Sequence, residues 1–400
     1  MADLLGFVAI ILVSFFTLLL SLKNPTIRGI ILAALILRIS FLLLGHYLIS
    51  LPDSTADAVT FEELAWLMSQ EGFYNLLINF DGPNDKFISW LIAIPYSLFG
   101  RSVLMAQSLS LFFGILNVYL GWKLAKKIWD NDIAVKVAWI LALFPSLILY
   151  SVLIMREVYV CFFLLIALNG IVSWFKNNSF NAFILSIVGF VGATFFHGAM
   201  MIGGIIFILI VGIISSKNIL LSLFKLSIRP RYFIFFLIFL ISSGLYLTNK
   251  IKVPKLKHFE HSTQIDSLLR KTIISTRGDA SYPEWTKANS PIELIYKLPI
   301  RVTYFLFSPF PWNVNKSEHI IGMLDAFLYM YFVYLIILNR EVIWKNPALK
   351  IILLILLCYI FVFSVGVGNF GTSVRHRSKF IIMLVLLSAP LIKKFVLFKK

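Results

Sequence analysis

Charge is scarce in this sequence. Only 14% of its 400 residues are Asp, Glu, Lys or Arg, and 60% are apolar, whereas soluble domains carry about 25% charged and 45–50% apolar residues. Too little polar surface remains to enclose a water-soluble body, so the chain reads as an integral membrane protein. Cysteine is almost absent. Cys161 and Cys358 are the two present and both lie in apolar runs, which excludes a disulfide framework and a thiolate metal site. There is no low-complexity tract, no Gly/Ser linker and no repeat at a period of about 20–50 residues, so residues 1–400 read as one membrane domain. Segments of alternating polarity are also lacking, which excludes an outer-membrane barrel. The start, Met1-Ala2-Asp3, lacks the basic region of a secretory signal, so the apolar run that follows is read as a retained span.

Long apolar runs are what the sequence has. At about 17–25 residues per span, helices are expected near Leu4–Leu22, Gly29–Ser50, Val103–Trp122, Ile133–Leu153, Glu157–Phe175, Phe180–Phe196, Ala199–Ser215, Tyr232–Thr248, His319–Leu338, Ile351–Gly368 and Phe380–Leu397. The fold class is therefore all-α, a polytopic transmembrane bundle of about eleven spans. Lys and Arg outnumber Asp and Glu by 36 to 19, a net charge of +17. These basic residues punctuate the spans instead of clustering on one soluble face, so no nucleic-acid partner is implied. Lys23 and Arg28, Lys123, Lys126 and Lys127, Lys176, Lys217, Arg229 and Arg231, Arg340 and Lys345, and the tail from Lys393 to Lys400 share one side. The positive-inside rule makes that side cytoplasmic, with the N-terminus outside and the C-terminus inside.

Two long segments face outward, 51–102 and 249–318, with a shorter one at 368–379. In the first, Thr60-Phe61-Glu62-Glu63 has the form of a capping box, and Phe61, Leu64, Ala65 and Met68 recur at helical spacing, which predicts an interfacial helix. Phe87–Phe99, carrying Pro95, and Val302–Trp312, ending at Pro309 and Pro311, are too short to span and read as surface or re-entrant helices. The second segment is basic (Lys250, Lys252, Lys255, Lys257, Arg270, Lys271, Arg277), which suits an anionic ligand.

Chemistry has few places to reside. Asp53 and Asp57, at the outer end of the second helix, could serve as general base toward a hydroxyl, and Asp57 is favoured because an amphipathic helix follows and fixes it. Asp81 and Asp85 read as solvated loop residues. Arg156-Glu157, Arg277 and the Arg375-His376-Arg377 cluster are candidate substrate-binding groups, since guanidinium forks match phosphate oxygens. Lys379 reads as a snorkelling residue. Arg38, deep in the second helix, must face the bundle interior and find a partner; it is either a structural ion pair or a substrate contact. His197 reads as a helix-end residue, and His258-x-x-His261 is too weak a pattern to assign a metal.

Several stretches resemble a known family. Asp57-Ala-Val-Thr-Phe61-Glu-Glu-Leu-Ala65 resembles the first external loop of the GT-C membrane glycosyltransferases, in particular the family 39 group of protein O-mannosyltransferases and aminoarabinose transferases. Lys86-Phe87 through Leu98-Phe99-Gly100 is similar to that family's surface helix, and Leu124–Trp129 with Leu143–Ser151 to its next helix pair, which ends at an external acidic position, here Glu157. The likeness covers roughly the first 175 residues. It departs where a second acid often follows the first, since residue 58 is Ala, and where His-Pro-Pro often stands, here Asn84-Asp85-Lys86. Leu306–Trp312 and Gly371–Arg377 resemble O-antigen and capsule polymerases. The resemblance implies a GT-C bundle that transfers sugar from a polyprenyl-phosphate carrier, without a further cofactor, to a glycan or lipid acceptor. It places that activity at the outer face of a bacterial inner membrane, in O-antigen, capsule or lipopolysaccharide assembly, among membrane lipids. A repeat-unit polymerase would use the same geometry. A flippase or transporter fits the span count, although its spans would carry ionisable residues, and apart from Arg38 these read as nearly uncharged.

Overall fold

The computed structural model describes residues 2–80, 82–83, 86–224, 234, 237, 280–316 and 318–392. Its elements, in chain order, are α1 (Ala2–Lys23), α2 (Arg28–Tyr47), α3 (Asp57–Ser69), α4 (Phe73–Ile78), α5 (Phe87–Phe99), α6 (Val103–Ile128), α7 (Asn131–Leu143), α8 (Pro145–Tyr150) and α9 (Glu157–Asn177). There follow α10 (Phe180–Phe196), α11 (Met201–Phe224), α12 (Pro291–Phe307), α13 (Glu318–Leu338), α14 (Arg340–Lys345), α15 (Pro347–Gly366), α16 (Phe370–Arg377) and α17 (Ile381–Ser388). Seven described helical stretches, those of α1, α2, α6, α9, α11, α13 and α15, have the length and apolar character to cross a bilayer. At about 1.5 Å per residue, roughly 20 residues span a hydrocarbon core of about 30 Å. The chain is an all-α, multi-pass membrane protein.

Two of the expected spans are built differently and a third falls outside the described residues. The run expected as one helix over 133–153 is broken into α7 and α8, because Pro145 has no N–H to donate and holds Phe144 in an extended conformation (φ −66°, ψ 124°). The carbonyls of Leu141 and Ala142 thereby lose their helical partners. Arg38 supplies replacements, its Nη1 donating to Ala142 at 2.9 Å and its Nη2 to Leu141 at 3.3 Å. The partner required for this buried cation is thus the end of a broken helix, and Arg38 is structural rather than substrate-facing.

The run expected over 380–397 begins as a tight turn, Ser378–Phe380, and continues as α17, whose eight residues are all buried. An apolar helix hidden on every side is a core element. Its last carbonyls are taken up from neighbouring helices, Trp129 Nε1 donating to Leu386 at 3.1 Å and Asn339 Nδ2 to Leu387 at 2.7 Å. The expected span over 232–248 lies outside the described residues.

The long helices share two ends. At one, the Ser102 hydroxyl donates to the Ala2 carbonyl and the interfacial helices α3–α5 gather. At the other, Lys127 donates to Asn169 Oδ1 and Lys136 to the Ile392 carbonyl. Close packing of α9 on α10 needs small residues: a Cβ on Gly189 would lie 2.3 Å from the backbone nitrogen of Ala167, and one on Gly170 2.5 Å from that of Ser186.

The interfacial elements follow the sequence with two corrections, the missing capping box of α3 and the start of α12, which lies at Pro291 and not at the expected Val302. α3 begins at Asp57 with no side-chain cap, and Thr60 lies inside its first turn, its hydroxyl donating back to the Ala56 carbonyl. The capping box is therefore not formed, and Glu62 is buried while Glu63 is exposed. α5 runs through Pro95. α12, capped by Ser290 at the Glu293 N–H, ends before Pro309 and Pro311.

Candidate functional site

The site is built around α16. Asn369 caps this helix through Oδ1, which accepts from Gly371 and Thr372. The segment before it is pinned to the chain at 280–282, where Tyr282 N–H donates to Gly368 and Phe370 N–H to Ala280. Helical geometry then separates the basic residues. Arg375 and Arg377, two positions apart, are turned about 200° from each other, whereas Arg375 and Lys379, four apart, share a face.

On that shared face the charges form a chain leading inward from the rim. Arg375 Nη1 donates to Asp57 Oδ2, and its Nε lies 3.6 Å from Glu157 Oε1. Lys379 Nζ is 3.0 Å from the same Glu157 oxygen and 2.8 Å from His376 Nδ1. Side-chain exposure falls from 44% at Asp57 to 16% at Arg375, 2% at Glu157 and zero at Lys379, so Asp57 is the carboxylate of this chain that a ligand can reach. Glu157 is the first residue of α9, where the positive end of the helix favours a carboxylate.

Around the chain stand three further groups. Arg156 lies with its guanidinium carbon 5.0 Å from the centre of the Phe61 ring. Asp53 sits at φ 63°, a backbone region few side chains adopt, and accepts from the Tyr150 hydroxyl at 2.9 Å. His197, at the end of α10, packs its ring 5.3 Å from that of His376, and both flank Phe363.

The electrostatics follow from burial. Burial pushes Asp53 above the usual carboxylate range, with Tyr150 and Arg375 pulling it back only in part. Burial lowers the Lys379 ammonium to about 8, against the opposing pull of Glu157. Burial, together with Lys379, holds His376 well below the ordinary imidazole value, so its Nδ1 can accept from the Lys379 ammonium. For Arg375 burial works downward, but Glu157, Asp57 and Asp53 together outweigh it and hold the proton above the ordinary guanidinium range.

The expected site residues therefore separate. Asp57, Arg375 and Glu157 come together, with Arg156 and Asp53 around them. Arg377 does not join them. It is fully buried on the opposite face of α16, where Nη1 donates to the carbonyls of Phe305, Leu306 and Ser308 and Nη2 to that of Gly322. Its role is to tie α16 to α12 and α13, so the expectation of a ligand-facing Arg377 is corrected. Arg277, Asp81, Asp85, His258 and His261 lie outside the described residues. Lys379, expected to snorkel, is instead the innermost member of the chain; its spacing of four from Arg375 was the available signal. Asp325, buried in α13 with Oδ1 accepting from Ser146 N–H at 3.3 Å, is an acidic span residue that the expectation of nearly uncharged spans missed. Arg301, fully buried and donating to the carbonyls of Thr286, Ser364, Val365 and Val367, was missed too. Among the described residues, no three His, Cys, Asp or Glu side chains are grouped to hold a metal ion.

Neither a family model nor a curated protein matches this sequence. Among solved structures, the chain is similar to the archaeal oligosaccharyltransferase AglB from Archaeoglobus fulgidus, in complex with an inhibitory peptide and a dolichol-phosphate. The TM-score is 0.46 and the identity 12%, over 92% of this chain and 50% of that one. The chain thus spans about half the length of that protein, and the functional reading rests on the site.

Proposed function

We propose that the chain is a membrane glycosyltransferase that takes sugar from a polyprenyl-phosphate carrier and joins it to a glycan or lipid acceptor in bacterial envelope polysaccharide assembly. The observation that supports this reading is the pairing of the half-exposed Asp57 with Arg375. In the reaction, the Asp57 carboxylate takes the proton of the acceptor hydroxyl while that oxygen bonds to the anomeric carbon of the donor. The bond from that carbon to the phosphate oxygen breaks, and its electron pair leaves with the phosphate. Protonation of Asp57 removes one partner of Arg375 as the leaving phosphate gains charge, so the guanidinium is released to the group that needs it. Attack opposite the leaving group inverts the anomeric centre. Glu157 and Lys379 hold Arg375 in place, and Arg156 offers a second guanidinium.

The site end lies opposite the ends of α6, α9 and α14 that carry Lys123, Lys126, Lys127, Lys176, Arg340 and Lys345. The charge rule puts those basic ends in the cytoplasm, which supports catalysis on the outer face of the inner membrane with the N-terminus outside. The test is Asp57→Asn in the chromosomal copy, reading envelope glycan and lipid-linked intermediates. Normal protein level with lost glycan and an incomplete or undecorated lipid-linked unit supports the transferase. Accumulation of one complete repeat unit points to a polymerase instead, and unchanged glycan removes the proposal.

A further inference from the structure

The end of the bundle opposite the site holds a second gathering of charge. About 20 helical residues cross a hydrocarbon core, a length that α6 reaches at Trp122 and α9 at Lys176. Lys123, Lys126 and Lys127 in the last two turns of α6, and Lys176 in the last turn of α9, therefore stand at the depth of the phosphates of one leaflet.

Topology alone places lysines at span ends, where they extend singly into water. These four differ in two respects. The first is fixed convergence. The Lys127 ammonium crosses from α6 to α9, donating to Asn169 Oδ1 at 2.8 Å and to the Ser173 hydroxyl. Lys176 reaches back from α9 and donates to the Lys127 carbonyl. Lys123 and Lys176 stand close enough to repel the Lys127 charge, and Lys123 and Lys127, four positions apart, are like charges on one helix face. Beside them, the Lys126 ammonium lies 5.1 Å from the centre of the Trp122 ring and that of Lys123 6.0 Å from the centre of the Tyr119 ring.

The second respect is the counter-charge. Among the described residues, none of the four lysines is ion-paired with a carboxylate. Asp130, the next acid along the chain, caps α7, its Oδ1 accepting from Ile133 N–H at 2.7 Å. Cations held together without a carboxylate repel one another, and an anion placed among them removes that repulsion. Lys123, Lys126 and Lys176 are exposed and Lys127 is half-buried, so an anion can reach them.

We infer that the place where the ends of α6 and α9 meet binds the phosphodiester headgroup of an acidic phospholipid through Lys123, Lys127 and Lys176. Inorganic phosphate offers similar oxygens, but the depth of the lysines and the neighbouring Tyr119 and Trp122 rings fit a lipid, whose phosphate lies at this level with its glycerol and acyl chains beside the helices. The charge rule makes this the cytoplasmic leaflet. The inference does not rest on the transferase reading.

The test uses the full-length protein in a neutral detergent, with lipid binding read by native mass spectrometry. The probes are phosphatidylglycerol, phosphatidylcholine and inorganic phosphate. Phosphatidylglycerol should bind about tenfold more tightly than phosphatidylcholine. Lys123→Gln with Lys176→Gln, which leaves the Lys127 bonds to α9 in place, should weaken phosphatidylglycerol binding about tenfold. Lys127→Arg, which keeps the charge, should retain binding. Arg340→Gln with Lys345→Gln removes equal charge from the same end, at α14, and should leave binding unchanged. No preference for phosphatidylglycerol, no loss in the Lys123 and Lys176 variant, or an equal loss in the α14 variant overturns the site. Displacement of phosphatidylglycerol by inorganic phosphate at equal concentration overturns the lipid as its occupant.

Discussion

Asp57 and Arg375 stand 318 residues apart in the chain and form an ion pair at the rim of the helical bundle. The pair joins the first turn of α3 to the last turn of α16, so its geometry depends on the whole fold between them. Asp57→Asn keeps the shape of the side chain and removes its capacity as a base. Activity should fall about 10²–10⁴-fold, with helical content and thermal unfolding of the purified protein unchanged. A variant that retains more than a tenth of the activity contradicts the role of Asp57.

Lys379→Met removes one of the two cations held by the buried Glu157. Breaking a buried pair costs about 3–5 kcal/mol, and Glu157 then draws Arg375 away from Asp57. Thermal unfolding should move to lower temperature and activity should fall. Adding Glu157→Gln should restore much of the stability but not the activity. Equal losses of stability in the single and double variants argue against the coupling.

The Lys379 value of about 8, lowered by burial, gives the activity an alkaline limb. Below that pH the ammonium is charged and anchors Glu157; as pH rises through it the charge is lost and Glu157 competes with Asp57 for Arg375. Activity should decline with a midpoint near 8, and Lys379→Arg, which stays charged, should shift the limb upward. A limb unmoved by that substitution assigns the titration elsewhere.

Arg377→Leu tests the opposite face of α16. It strands carbonyls of Phe305, Leu306, Ser308 and Gly322, each at a cost of about 1–3 kcal/mol if left unpaired. The expected result is low yield and early thermal unfolding, with the surviving protein binding its ligand normally. Weakened ligand binding at unchanged stability would instead return Arg377 to the site.

Gly189→Val probes the contact of α9 with α10, where even a Cβ would meet the Ala167 backbone. Gly204→Ala, whose added Cβ would lie 3.1 Å from the Phe190 Cβ, is the mild control. The first should unfold several degrees earlier than the second in a detergent melt.

Much of this architecture is legible in the sequence, because a run of about 20 apolar residues has few other uses. What such a run does not state is what surrounds it. α17 and α1 are equally apolar to read, yet α17 is wholly enclosed and α1 is mostly uncovered by the described protein. The interruption at Pro145 was open to reading from proline chemistry alone. The site is legible in part: Asp57, Glu157 and Arg375 stand out as polar groups at helix ends, and the topology puts them on one side. The difference between Arg375 and Arg377 follows from helical rotation, but which face meets the carboxylates depends on where α12 and α13 pack. Glu62 is not legible from its local pattern. The Thr-x-x-Glu pattern marks Glu63 as the capping acid, whereas a helix that starts at Asp57 turns Glu62 inward and leaves Glu63 exposed.

The break at Pro145 bears on how the molecule is made. Arg38 enters the bilayer with α2, but the Ala142 carbonyl that receives it is synthesised 104 residues later. In the interval the translocon must deal with a guanidinium whose insertion costs about 2.5–3.5 kcal/mol. The apolar residues of α1 and α2 offset that cost, so the first hairpin stays inserted while the guanidinium waits for α7 to bring its carbonyls into reach.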